Sequence, residues 1–244
     1  MGKIDDAMRK AGEIRSETGA TFSSYRFPIV DVTDPQSPMA EAYRTLRTNI
    51  QRHTRSKAIR SILIASAAQG EGRTQTVANL AVILSAIEGN KTLLIDADLR
   101  HPKLHEIFEV EESPGLSELL HGTAQLETVI RPTRIGNLKM ISSGQPVKGS
   151  AELFYSPRLA EALETLKTQY DFLLFDSPPV IPYTDAVILA GHVGGIILVV
   201  RARDTRREVV RRAKDLLNRS EEKFIGVILN RVEHVIPRSI YDKL

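Results

Sequence analysis

The segment ASAAQGEGRTQT (residues 65–76) places Gly70-Glu71-Gly72-Arg73-Thr74 between an apolar run and a long apolar stretch. Glycines admit positive φ and let consecutive backbone N–H groups curl around a phosphate, at the positive end of the helix that follows. The hydroxyl of Thr74 is placed to ligate Mg²⁺. Three carboxylates close other apolar runs: Asp96 and Asp98 in LLIDADLR, and Asp176 in FLLFDSP. A carboxylate at the end of such a run is buried at its base and costly without a cation. A hard divalent ion shared with phosphate oxygens supplies that cation. Any one of these Asp residues could instead be a helix cap. A glycine loop and three strand-end carboxylates together predict a phosphate site with a metal.

These groups need a scaffold that gathers them at one edge. SILIAS (61–66), KTLLIDAD (91–98), YDFLLFDSP (170–178), GIILVV (195–200) and KFIGVILN (223–230) read as buried strands. Helical patterns over 76–87, 156–168 and 205–219 separate most of them. Continuous apolar strands alternating with helices predict an α/β fold, a doubly wound, mostly parallel sheet with helices on both faces. Ligands bind at the carboxyl ends of such strands. The stretch 101–150 is less regular, with a short helix near 116–121 and a strand at 138–142. A helix should start at Ser37-Pro38, with Ser as cap and Pro at the first helical position. Ile4, Ala7, Ala11 and Ile14 predict a short amphipathic helix, followed by a linker, so residues 1–36 stand apart from a domain at 37–232 and a tail at 233–244.

Composition narrows the classes. The 244 residues are 42% hydrophobic and 26% charged, ordinary values for a globular chain. There is no cysteine, which excludes disulfides, zinc-thiolate sites and a thiol nucleophile, and which fits the cytosol. The charged first residues predict no signal peptide, and no run of apolar residues is long enough to span a membrane. A net charge of +3 is too small to argue for nucleic acid.

GEGRT, LLIDADLRHPKLH and FLLFDSPPV resemble the nucleotide-binding loop, the second acidic motif and the Asp strand of the bacterial protein-tyrosine kinases. Those kinases serve exopolysaccharide and capsule production and belong to a wider group of P-loop ATPases that includes septum-positioning and chromosome-partitioning ATPases. EAYRTLRTNI carries Glu41, Arg44 and Arg47 at three-residue intervals, like the motif by which these kinases assemble into rings. From spacing alone that trio reads as an exposed, salt-bridged helix face. The resemblance spans about residues 37–232, with its motifs in family order. It implies ATP·Mg²⁺ over Gly70, Glu71, Gly72, Arg73, Thr74 and Gln75, with the metal at Thr74, Asp96 and Asp176. Asp96 would take the tyrosine proton, with Asp98 and Arg73 beside it. Asn230, on its own a turn residue, matches a position that contacts the base. The implied partners are further copies of the chain in a ring and a separate membrane polysaccharide co-polymerase or adaptor. The implied location is cytoplasmic, peripheral to the inner face of the membrane.

Two features depart from the family pattern. Arg73 stands where the loop carries lysine, and Tyr241 stands alone in HVIPRSIYDKL where these kinases carry a tyrosine cluster. Tyr241 is therefore the single tail phosphosite candidate, with Tyr25 an upstream alternative. Ala67 and Gln69 replace a glycine and a frequent proline, smaller changes. The run 201–219 holds eight Lys or Arg. With Val209, Val210, Ala213, Leu216 and Leu217 as its buried stripe, it reads as a solvated helix face, or as a surface for an anionic membrane, an acidic partner or DNA. Two other functions compete with an autokinase. Arg73 and the missing tyrosines favour a nucleotide-binding regulatory module. The basic run suits a partitioning-type switch, against which the ring motif and Ala67 both count.

Lysine reaches phosphates as a compact point charge, whereas arginine is planar, longer and binds through a fork. Arg73 should thus weaken phosphate binding by about 1–3 kcal/mol, the scale of one charged hydrogen bond. Arg73→Lys should tighten nucleotide affinity correspondingly in a calorimetric titration. Unchanged affinity and turnover would contradict this.

Overall fold

The computed structural model describes residues 29–31, 34, 36–57, 59–147, 149–217 and 223–232. The expected N-terminal helix, Tyr25, Tyr241 and the tail lie outside the described residues. α1 (Pro38–Lys57) starts where the sequence predicts: the Ser37 hydroxyl accepts from the Ala40 N–H at 3.3 Å, and Pro38 opens the helix. β1 (Ser61–Ser66) is buried throughout and leads through the glycine loop into α2 (Arg73–Ser85). That helix begins three residues earlier than its apolar pattern, because the Thr76 N–H already bonds the Gly72 carbonyl at 2.9 Å.

β2 (Thr92–Asp96) ends at the first acidic residue, and Asp98 falls in the turn beyond it. The irregular stretch resolves into α3 (Leu104–Phe108), α4 (Leu116–His121), α5 (Leu126–Val129), β3 (Ile130–Pro132), β4 (Leu138–Ile141) and α6 (Ser150–Leu153). Then follow α7 (Pro157–Gln169), β5 (Phe172–Asp176), α8 (Asp185–His192), β6 (Gly195–Arg201), α9 (Arg207–Leu217) and β7 (Phe224–Asn230).

The seven strands order as β3-β4-β2-β5-β1-β6-β7. Every pairing is parallel except β3 with β4, which is antiparallel at the edge. The doubly wound, mostly parallel sheet is as expected; the antiparallel edge strand, only three residues long, has too little pattern to be read. α8 was also hidden, since DAVILAGH is apolar nearly all round and runs almost directly into β6. One core packs Leu63, Phe154, Leu163, Phe175 and Leu198 on one face of the sheet. The other packs Ile50, Ile64, Leu80, Leu84 and Leu174 beneath α1 and α2. Leu216 is corrected: its side chain is 39% exposed, while Ala213 and Leu217 face the core. Helix geometry puts it beside that stripe rather than in it.

The register sets the site. Asp96 pairs with Asp176 across β2 and β5, and the β1–β5 register brings Ile64 level with Asp176, just before the loop. Leu63 is fully buried in β1, so Leu63→Ala should cost about 2–5 kcal/mol, the range for emptying a core leucine. Urea unfolding measures it; a loss within experimental error of zero would mean that the strand is not held as described.

Candidate nucleotide site

The loop between β1 and α2 is shaped from within. Gly70 and Gly72 take φ of 84° and 87°, a left-handed conformation that side-chain-bearing residues avoid. Glu71, between them, is 3% exposed and turned inward. Its carboxylate accepts from the Ala68 N–H at 2.8 Å and from the Thr205 hydroxyl after β6. The Glu71 carbonyl accepts from the Asn230 side-chain amide at 2.9 Å, at the end of β7. Two neighbouring strand ends thus pin the loop. Asn230 is packed against Gly72 so closely that a Cβ at that glycine would overlap its side chain.

Arg73 does not point into the loop's open mouth. It is 8% exposed, and its Nε donates to Asp176 Oδ1 at 2.5 Å while a terminal nitrogen donates to Asp98 Oδ2 at 2.7 Å. Its other terminal nitrogen lies 3.4 Å from the Ser66 hydroxyl. Thr74 donates its hydroxyl to the second oxygen of Asp176 at 2.7 Å. Burial works against the guanidinium charge, but the charges of Asp176 and Asp98 outweigh it and push its pKa further up. Asp96 is fully buried and held by backbone groups: Oδ1 accepts from the Asp98 N–H, and Oδ2 from those of Lys103 and Leu104. Burial, then the charge of Asp176, lifts its pKa well above the ordinary carboxylate value, although the Leu104 N–H opposes the shift. Burial also raises Asp176, with Arg73 and Thr74 pulling the other way.

A cavity of about 270 Å³ opens above the loop, lined by Gly70 to Gln75 and by Asp98, His101, Lys103, Tyr183 and Arg231. The structure therefore gathers Gly70, Glu71, Gly72, Arg73, Thr74, Gln75, Asp96, Asp98, Asp176 and Asn230 around one edge. Asp185 and Ser150, in the same neighbourhood, went unread, and Arg100 finds its partner there. Asp185, at the start of α8, is fully buried and receives the Arg100 guanidinium through bonds of 3.1–3.3 Å and the Ser150 hydroxyl at 2.6 Å. Arg100 also stacks 4.3 Å from the Tyr183 ring centroid. Arg100 follows the acidic motif, which was a signal; Asp185 and Ser150 had none, since only the tertiary fold brings them to it.

The donor set suits a hard divalent ion, which takes carboxylate and hydroxyl oxygens and often few of them from protein. Thr74 and Asp176 meet that description. Among the described residues no three His, Asp or Glu side chains form a metal cage, so a metal there needs oxygens from a ligand. Away from the site, Glu41 is exposed on α1 and pairs with Arg44 at 3.2 Å, and Arg44 also reaches the Asp34 carbonyl. Arg47 is half-buried on the same helix.

Residues 57–241 match the family model described as ParA, NUBPL iron-transfer P-loop NTPase. The chain is 36% identical over 202 residues to the tyrosine-protein kinase YwqD of Bacillus subtilis (strain 168), covering 83% of this chain and 85% of that protein. Its fold is similar to that of the chimerical protein CapA2B2, with a TM-score of 0.78 and 33% identity over 85% of this chain and 96% of the other. It is also similar to the kinase domain of the Escherichia coli tyrosine kinase ETK, with a TM-score of 0.81 and 29% identity over 88% and 84% of the two chains.

Because Asp96 ionises less readily folded than unfolded, the folded chain keeps its proton to higher pH. Stability from this group is then greatest below the ordinary carboxylate range and falls as pH rises from there to the raised folded pKa. Asp96→Asn should flatten that decline, measured by urea unfolding from the ordinary carboxylate range upward, where a raised carboxylate titrates. A variant whose profile runs parallel to the wild type would contradict it.

Proposed function

From membership of the bacterial tyrosine-protein kinases, the ParA-like P-loop NTPases to which this chain belongs, we propose that it is an ATP-dependent protein-tyrosine autokinase acting in exopolysaccharide or capsule production. The observation that carries the reading is the loop with two left-handed glycines, set directly beside the paired strand-end carboxylates Asp96 and Asp176. Gly70 to Gln75 cradle the phosphates with backbone N–H groups at the start of α2. Thr74, Asp96 and Asp176 would hold Mg²⁺, which supplies positive charge at the phosphate oxygens. Phosphoryl transfer asks little covalent work of the protein, so placing charge and aligning the acceptor carry most of it.

Asp96 is the group that accepts the tyrosine proton. Its raised pKa moves it toward the range useful to a general base, and the turn that holds it also carries Asp98. Asn230 acts twice, holding the loop through the Glu71 carbonyl and presenting its strand end to the base. Glu41, Arg44 and Arg47 join copies of the chain in a ring across the domain 37–232. Tyr241 in the tail 233–244 is the acceptor between neighbours. Attachment to the inner membrane face comes from a co-polymerase or adaptor protein, as the kinship with the capsule and exopolysaccharide kinases suggests. Nucleic acid plays no part in this reading.

One observation favours a second reading, a nucleotide-binding regulatory module: the loop arginine is already engaged with Asp98 and Asp176. Incubation with ATP and Mg²⁺, with and without the cytoplasmic segment of a candidate adaptor, separates the two when phosphotyrosine is mapped by mass spectrometry. The autokinase modifies its own tail, and Asp96→Asn lowers the rate at least about 10²-fold, the scale of a lost general base. Nucleotide binding with no phosphotyrosine under either condition would leave the regulatory module.

A further inference from the structure

The structure assigns to Arg73 the screening of the acidic wall that a bound cation would otherwise supply, so that this chain captures a nucleoside diphosphate without needing a metal ion. The inference rests on the nucleotide reading above and concerns how that ligand is held.

A phosphate entering the loop meets backbone N–H groups on one side and the strand-end carboxylates on the other. Bare carboxylates repel it, and in a site of low dielectric such repulsion is strong. A divalent ion in such a place therefore does two things: it ligates the phosphate and it screens the acidic wall. Here the screening is already present in the chain. Arg73 lies between Asp98 and Asp176 with one nitrogen on each, at 2.7 and 2.5 Å. Its side chain is 9% exposed, and those of its partners are 4% and 1% exposed. Buried charges persist only when paired, and the single guanidinium bonds both carboxylates, which cuts the charge of that wall from two negatives to one.

The geometry depends on arginine. A guanidinium holds its donors in a fixed plane and can serve two carboxylates at once, whereas a lysine ammonium is a point charge on a flexible stem. With lysine at this position the net charge is the same, but a point charge does not fix both carboxylates, and one of them is left free to turn toward the ligand. The rest of the cavity does not oppose an anion: Arg231 lines it, as does Lys103, which is paired with Glu106 at 2.7 Å, and Gly70 to Thr74 turn backbone at the start of the thirteen-residue α2. The other acidic side chain in the loop, Glu71, is directed away into bonds with Ala68 and Thr205. The screening role thus passes from a solute ion to a side chain, and metal dependence moves from capture of the ligand to whatever follows.

Calorimetric titration with ADP, in excess Mg²⁺ and again in EDTA, tests this on the full chain and on Arg73→Lys. The wild type should hold ADP with affinities that agree within about threefold between the two buffers, while Arg73→Lys should lose at least about tenfold on chelation. A wild type that loses affinity on chelation as the lysine variant does would overturn the assignment and leave the nucleotide reading standing. An Arg73→Lys chain as indifferent to metal as the wild type would overturn it too, since something other than Arg73 would then do the screening. No ADP bound in either buffer would overturn both.

Discussion

Two carboxylates side by side at the ends of adjacent buried strands are an electrostatic cost that the fold must offset. The parallel register of β2 and β5 makes Asp96 and Asp176 neighbours, and both are almost wholly buried. The chain handles them differently. Asp96 is wrapped in three backbone N–H groups and has its proton affinity raised. Asp176 is met by Arg73 and Thr74. Removing one member of a buried ion pair is costly because the other is left unpaired. The Arg73 bridge is therefore the contact on which the order of this edge rests.

Around it, the site is a junction of strand ends. The loop after β1 is tied to the ends of β6 and β7 through Glu71, by the Thr205 hydroxyl and the Asn230 amide. The turn after β2 is tied to the start of α8 through Arg100 and Asp185. That second tie also bears on the acid chemistry, because the backbone N–H groups of Arg100 and His101 donate to Asp98. An edge assembled from such long-range contacts has its charged groups placed without a ligand, which is what preorganised charge requires.

The repeating strand and helix pattern was legible because buried parallel strands are apolar on both faces and leave no alternation to mislead. The strand-end carboxylates were legible for the same reason: a charged residue at the end of such a run stands out. What escaped notice lacked a local signature. β3 is too short to show a period, and α8 is too apolar to show a stripe. Asp185 and Ser150 meet Arg100 only across the fold. The loop's supporting contacts were equally invisible. Glu71 was read as lining a phosphate cradle, yet its side chain is an internal brace, and Asn230 reaches back to the same residue. Where the Arg73 side chain goes was likewise beyond the sequence, since the glycine loop invites a side chain toward phosphate while the carboxylates beneath it hold the guanidinium down.

Nitrogen-edited NMR of the arginine Nε–H groups addresses that bridge most directly. Bound to Asp176 and shielded from water, the Arg73 Nε–H should give a resonance protected from exchange at neutral pH, absent or fast-exchanging in Asp176→Asn. An Arg73 Nε–H that exchanges with water as quickly as those of exposed arginines would show that the guanidinium is not held between the carboxylates, and the account built on that bridge would fail.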